Sequence, residues 1–145
     1  MSTPDRTPHP GWTPAFLAWL VAAVSMLAAL FIGEVMGYPP CVLCWYQRIA
    51  MFPLVFVLAA GLFPYDRNLV RYALPLAIAG WLVAAYHLAL VAGLIPESAQ
   101  PCRQGVPCSD APVILLGFVN IPLLSVLGFS IIIVMLLATH FRTSK

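Results

Sequence analysis

Four cysteines stand in two close pairs: Cys41-Val42-Leu43-Cys44, and Cys102 with Cys108 inside the run Pro101-Cys102-Arg103-Gln104-Gly105-Val106-Pro107-Cys108-Ser109-Asp110. The thiolate, not the thiol, is the attacking species in disulfide exchange, so the groups flanking each sulfur decide its reactivity. Tyr38-Pro39-Pro40 interrupts any helix arriving from the N-terminal side, which predicts a new helix starting near Cys41 with the C-x-x-C on its first turn. There the helix dipole and unpaired backbone N–H groups favour the thiolate. Arg48 follows Cys44 by four residues and shares its helical face, where a guanidinium can stabilise a thiolate or a negative charge growing on a bound carbonyl. An ionisable side chain just inside an apolar helix is costly and marks a functional candidate, whereas its structural alternative is an arginine reaching out to headgroups. In the second pair, Gly105 and Pro107 favour a turn able to bring the two sulfurs together, and Arg103 beside Cys102 favours its thiolate.

Three kinds of chemistry fit four such cysteines. Two inert structural bridges fit the count, but a bridge across C-x-x-C is strained and reducible. A zinc or copper(I) site of four thiolates fits the first pair, but the five residues between Cys102 and Cys108 form an unusual second ligand spacing. A redox relay between the pairs uses both spacings, and is the reading adopted.

The elements that must position these residues follow from composition. Of 145 residues, 62% are hydrophobic and 8% charged, too few polar side chains to cover a water-soluble globule. Four runs are long enough to cross a hydrocarbon core of about 30 Å; they predict helices over roughly 15–35, 44–63, 72–94 and 121–140. The expected fold class is therefore an all-α integral membrane protein, a four-transmembrane-helix bundle with two short outer loops, forming a single domain over 1–145. The first run has only a weak charged start, Asp5 beside Arg6, a long apolar stretch and no small-residue cleavage site, so it is read as a helix and not as a signal peptide. Pro53 and Pro75 fall inside helices, as membrane bundles tolerate, and Pro122 suits a first turn.

Four spans put both termini and the middle loop on one side. Arg6, Arg67, Arg71, Arg142 and Lys145 lie on that side against Arg48 and Arg103 on the other, which places both termini in the cytoplasm. All four cysteines then face the opposite, oxidising compartment, where disulfides persist. A net charge of +2 spread in this way forms no nucleic-acid surface, and neither a phosphate loop nor a hydrolytic triad is present.

The run PPCVLCWYQR, Tyr86-His87 in the third helix, the loop PCRQGVPCSD, and Ile121-Pro122-Leu123-Leu124-Ser125 opening the fourth resemble the DsbB/BdbC family of bacterial disulfide bond formation proteins over nearly the whole chain. The close loop pair resembles the compact, BdbC-like form. Val113 to Val119 is a candidate for lying along the membrane interface. The resemblance implies a multi-pass enzyme of the bacterial plasma (inner) membrane, a protein-dithiol:quinone oxidoreductase. Its partner would be a soluble thioredoxin-like protein of the DsbA or BdbD kind, and its cofactor a quinone, ubiquinone or menaquinone. It further implies that Cys102 is attacked by the partner, that Cys108 is its bridge-mate, and that Cys41 exchanges with that pair. Cys44 would pack on the quinone ring and Arg48 would bind a quinone oxygen. No resident metal is expected. In proteins similar to vitamin K epoxide reductase the loop cysteines precede the C-x-x-C; here the order is reversed.

His87 is a candidate to donate to a quinone oxygen or relay its proton, against a hydrogen-bonded histidine between helices. Glu34 reads as an interfacial carboxylate. Trp45, Tyr46 and Tyr86 read as ring-flanking residues or as an aromatic belt. Gly80 and Ala84 suit close helix contact. Two further functions are compatible with the thiols: a membrane metal or haem chaperone, and a thiol reductant passing electrons the opposite way.

Overall fold

The computed structural model describes residues 9–96, 114–115 and 119–144. Cys102, Arg103 and Cys108 lie outside the described residues, as does most of the Val113 to Val119 stretch. Among the described residues there are four long helices: α1 (Trp12–Leu30), α2 (Val42–Leu62), α3 (Leu69–Val91) and α4 (Ile121–Thr143). A five-residue π-helical turn, Phe31–Val35, extends α1. Two-residue strands β1 (Ile114–Leu115) and β2 (Val119–Asn120) pair antiparallel immediately before α4.

Each helix packs on two neighbours, so that α1, α2, α3 and α4 close a ring. All four are long and apolar enough to cross a membrane, and the lowest mean hydropathy, 1.7, belongs to α2, the span that carries Gln47 and Arg48. The distribution of side-chain size is that of a membrane bundle. Ala15, Ala18 and Ala22 form the buried stripe of α1, and Ala73, Ala77, Gly80 and Ala84 that of α3. Small residues let helix backbones approach where lipid, unlike water, gives no hydrophobic drive for association. A Cβ at Gly80 would collide with the Phe129 ring of α4, so this position sets the α3–α4 approach. Leu54 and Leu58 of α2 and Phe129, Ile132 and Leu136 of α4 fill the centre. Large apolar side chains such as Leu27, Phe56, Leu82 and Val134 point outward, where hydrocarbon rather than water is their natural solvent. The chain is thus an all-α membrane protein built on a four-helix bundle.

The start of α4 is set by capping. Asn120 caps α4 by accepting the Leu123 N–H at 3.1 Å, with Pro122 in the first turn. At the other end of α1, Gly37 takes φ +71, a left-handed conformation that turns the chain into Tyr38-Pro39-Pro40. Trp81 Nε1 donates to Ser130 Oγ at 2.9 Å and ties α3 to α4 within the apolar interior.

Candidate functional site

The turn at Pro39 and Pro40 delivers Cys41 in an extended conformation (φ −69, ψ 168) as the N-cap of α2. Its sulfur accepts the Cys44 N–H at 3.4 Å, satisfying one of the unpaired donors that open every helix. A cysteine thereby performs the capping role usually given to Ser or Asp. The two sulfurs of the pair are 3.0 Å apart, both as free thiols, with Cys41 buried and Cys44 half-buried.

His87 of α3 completes the group. Its Nε2 lies 3.8 Å from Cys41 Sγ, and its Nδ1 lies 3.1 Å from the side-chain amide of Gln47. Both polar residues are buried, at 3% and 6% exposure, in a bundle where an unsatisfied polar group would be expensive. With the Gln47 amide N–H donating to Nδ1, the ring proton sits on Nε2 and points at the Cys41 sulfur. Several contacts converge on Cys41: the Cys44 thiol above all, then the His87 ring and the Cys44 N–H. Burial opposes them, yet together they hold the Cys41 thiol far below the usual range, at about 4.

The Arg48 side chain is half-buried and turns toward α1. Its Nη2 donates to the Ala29 carbonyl of α1 at 2.7 Å, and its guanidinium lies 5.6 Å from the Trp45 ring centre. The approach depends on Gly33 in the π turn, because a Cβ there would stand 2.9 Å from Nη2.

These side chains line one cavity of about 330 Å³ between α1, α2 and α4. Cys41, Cys44, Gln47, Arg48 and His87 form its polar end, and Val24, Ile32, Met51, Phe52, Leu124 and Phe129 are among its apolar walls. Ser25 and Ser125 also border it, but each hydroxyl donates to a carbonyl of its own helix, Val21 and Ile121 respectively. Arg48 is therefore the wall's cationic donor. Val24 and Leu124 are exposed on the outer surface of the bundle, at 58% and 46%, so the mouth opens sideways between α1 and α4. A volume of this size, apolar with a few converging polar groups, suits a small ring-bearing ligand.

Of the residues singled out in the sequence, Cys41, Cys44, Arg48 and His87 thus meet at one place. Glu34 is exposed on the π turn, and neither it nor Trp45, Tyr46 or Tyr86 lines the cavity. Gln47 and Gly33 were not recognisable as site residues from the chain alone. Gln47 leaves a faint signal, an uncharged amide one turn beyond Cys44 in an otherwise apolar helix, whereas Gly33 leaves none.

A part-buried dithiol at the start of a membrane helix, with an imidazole behind it and an apolar cavity before it, defines the thiol centre of a membrane protein. The model of the family "Disulfide bond formation protein DsbB" matches residues 12–139. The chain is 48% identical over 134 residues to a "Probable disulfide formation protein" of Metapseudomonas resinovorans, covering 92% of this chain and 93% of that one. It is 40% identical to a "Probable disulfide formation protein C 2" of Bacillus cereus, covering 89% and 92% of the two chains. To the "Disulfide bond formation protein C" of Bacillus subtilis it is 38% identical, covering 82% and 86%. No solved structure matches it significantly. The chain belongs to the DsbB family of disulfide bond formation proteins, as a multi-pass membrane protein with an oxidoreductase role in disulfide formation.

Proposed function

We propose that the protein is a thiol:quinone oxidoreductase, which reoxidises a soluble thioredoxin-like partner of the DsbA or BdbD kind and delivers the electron pair to a membrane quinone. The observation that carries this reading is the shared cavity: Cys44 and Arg48 stand at its polar end, and the remaining wall is apolar enough for a ring. In the bound state the quinone supplies the two-electron sink, with Arg48 and Cys44 as the residues that hold it.

The chain's own residues perform the rest. A thiolate of the partner attacks Cys102, releasing Cys108, and a second partner thiolate resolves the mixed disulfide so that the partner leaves oxidised. The reduced Cys102–Cys108 pair then reduces the Cys41–Cys44 bridge. His87 holds the Cys41 thiolate as leaving group and nucleophile, and Gln47 fixes the ring tautomer. Arg48, anchored on Ala29, presents its remaining N–H groups to an acceptor oxygen. Two electrons leave the pair, two protons follow, and the Cys41–Cys44 bridge is restored. The bias of basic residues supports cytoplasmic termini, with both cysteine pairs on the outer side of the bacterial plasma membrane.

Purified protein supplied with a reduced thioredoxin-like partner and either ubiquinone or menaquinone tests the assignment. Cys44→Ser is expected to abolish quinone reduction, and Arg48→His to raise the quinone KM about tenfold or more, the size of one charge-assisted hydrogen bond. Quinone reduction by Cys44→Ser at the parental rate would overturn the reading.

A further inference from the structure

Cys41, Cys44 and His87 hold three metal-ligating atoms within 4.8 Å of one another. The sulfurs are 3.0 Å apart and Cys41 Sγ is 3.8 Å from His87 Nε2. Around a tetrahedral zinc ion, with bonds of about 2.3 Å to sulfur and about 2.0 Å to nitrogen, such atoms stand roughly 3.5–3.8 Å from each other. Side-chain shifts on the order of 1 Å therefore turn the cluster into three of the four ligands of a tetrahedral ion, with the fourth position free for water or another donor.

Gln47 makes the change of tautomer possible. To bind a metal through Nε2, the imidazole must carry its proton on Nδ1 and donate it to a neighbour, as metal-bound histidines do. The Gln47 side chain at 3.1 Å presents an N–H or, after a half-turn of the amide, a carbonyl oxygen. The same residue thus supports the ring as donor to a thiolate and as ligand to a cation. An apolar leucine here would do neither.

From this geometry we propose that the dithiol form of the protein binds one zinc ion through Cys41 Sγ, Cys44 Sγ and His87 Nε2, with a further position facing the cavity. Binding releases the protons still held by the two thiols and leaves every oxidation state unchanged. Closing the Cys41–Cys44 bridge consumes both sulfur donors, so the metal and the disulfide exclude each other. The ion consequently parks the pair in its reduced state and shields it from alkylation and exchange. This site takes no ligand from Cys102 or Cys108, and it depends on the reduced pair alone, whichever electron acceptor the protein uses.

The test uses full-length Cys102→Ala/Cys108→Ala protein in detergent, reduced with a phosphine and then freed of reductant without air. Cobalt(II) serves as the spectroscopic probe for the zinc site. One equivalent is expected to bind, with tetrahedral d–d bands and thiolate-to-cobalt charge-transfer bands, and zinc is expected to displace it. His87→Ala should weaken binding at least about tenfold and alter the d–d bands, and Gln47→Leu should weaken it about tenfold. In the protein with native His87 and Gln47, zinc should slow iodoacetamide labelling of Cys41 and Cys44, a readout that needs no variant at these positions. Absent charge-transfer bands, unslowed labelling, or equal binding by the disulfide form would each overturn the proposal. So would unchanged affinity and spectrum in His87→Ala. Quinone reduction is not measured in any arm, so failure here and failure of the oxidase reading are separable.

Discussion

Cys41 serves as helix cap and reactive sulfur at once, and the same contacts do both. The Cys44 thiol above all, then the His87 ring and the N–H it accepts as a cap, favour its charged form against burial and hold it at about 4. Because folding lowers the pKa of this thiol, the thiolate persists as pH falls through neutrality and is lost only on approaching that value. Iodoacetamide labelling of Cys41 in the reduced protein should therefore reach half its maximal rate near pH 4, instead of at pH about 8.5 as for a free cysteine. His87→Ala should move the midpoint upward, and a midpoint of ordinary thiol value in the parent would contradict the arrangement. Cys41, Cys44 and Arg48 are legible in the sequence because their relation is local, fixed by helical spacing across eight residues. His87 is legible as a polar residue in an apolar run, but its partners are not: Gln47 lies 40 positions away and meets it only through the packing of α2 on α3.

The π turn that ends α1 shapes the Arg48 side of the site. It follows directly on Ala29 and Leu30, and Gly33 within it leaves room for the guanidinium. Gly33→Ala should crowd Arg48 off the Ala29 carbonyl and raise the acceptor KM several-fold. Its melting temperature should hold, since alanine is favoured over glycine in a helix by roughly 0.5–1 kcal/mol. A fall in melting temperature with unchanged KM would show that the glycine serves packing instead. Nothing in the run Phe31-Ile32-Gly33-Glu34-Val35 announces a π turn, because the extra residue per turn is set by what it must meet. Hydropathy also places helix ends imperfectly. It puts the start of the third span near residue 72, whereas α3 begins at Leu69 and includes Arg71. Apolar runs mark where lipid begins, while hydrogen bonds mark where the helix begins, and a charged first turn separates the two.

Across the whole molecule, the ring of four helices closes on small residues, and one of its close approaches is at Gly80 against Phe129 and Ala50. Gly80→Leu should separate α3 from α4 and cost about 1–3 kcal/mol. Loss of helical circular dichroism in detergent should then occur at a lower Tm than in the parent. An unchanged Tm would mean that the ring tolerates a wider spacing than its geometry implies. The number of spans and the apolar surface were plain in composition, since they follow from the solvent. The pairing of each helix with its neighbours was not, because alanine stripes of equal character lie on α1 and α3 alike.

The sideways mouth between Val24 and Leu124 bears on how any apolar acceptor must be counted. A molecule entering there arrives from the hydrocarbon, so the encounter rate follows its mole fraction among lipids rather than its molarity in the whole solution. Diluting the protein in buffer leaves that fraction untouched, whereas adding detergent or empty lipid lowers it. The amphiphile is thus a kinetic variable for this site, and the volume of water around it is not.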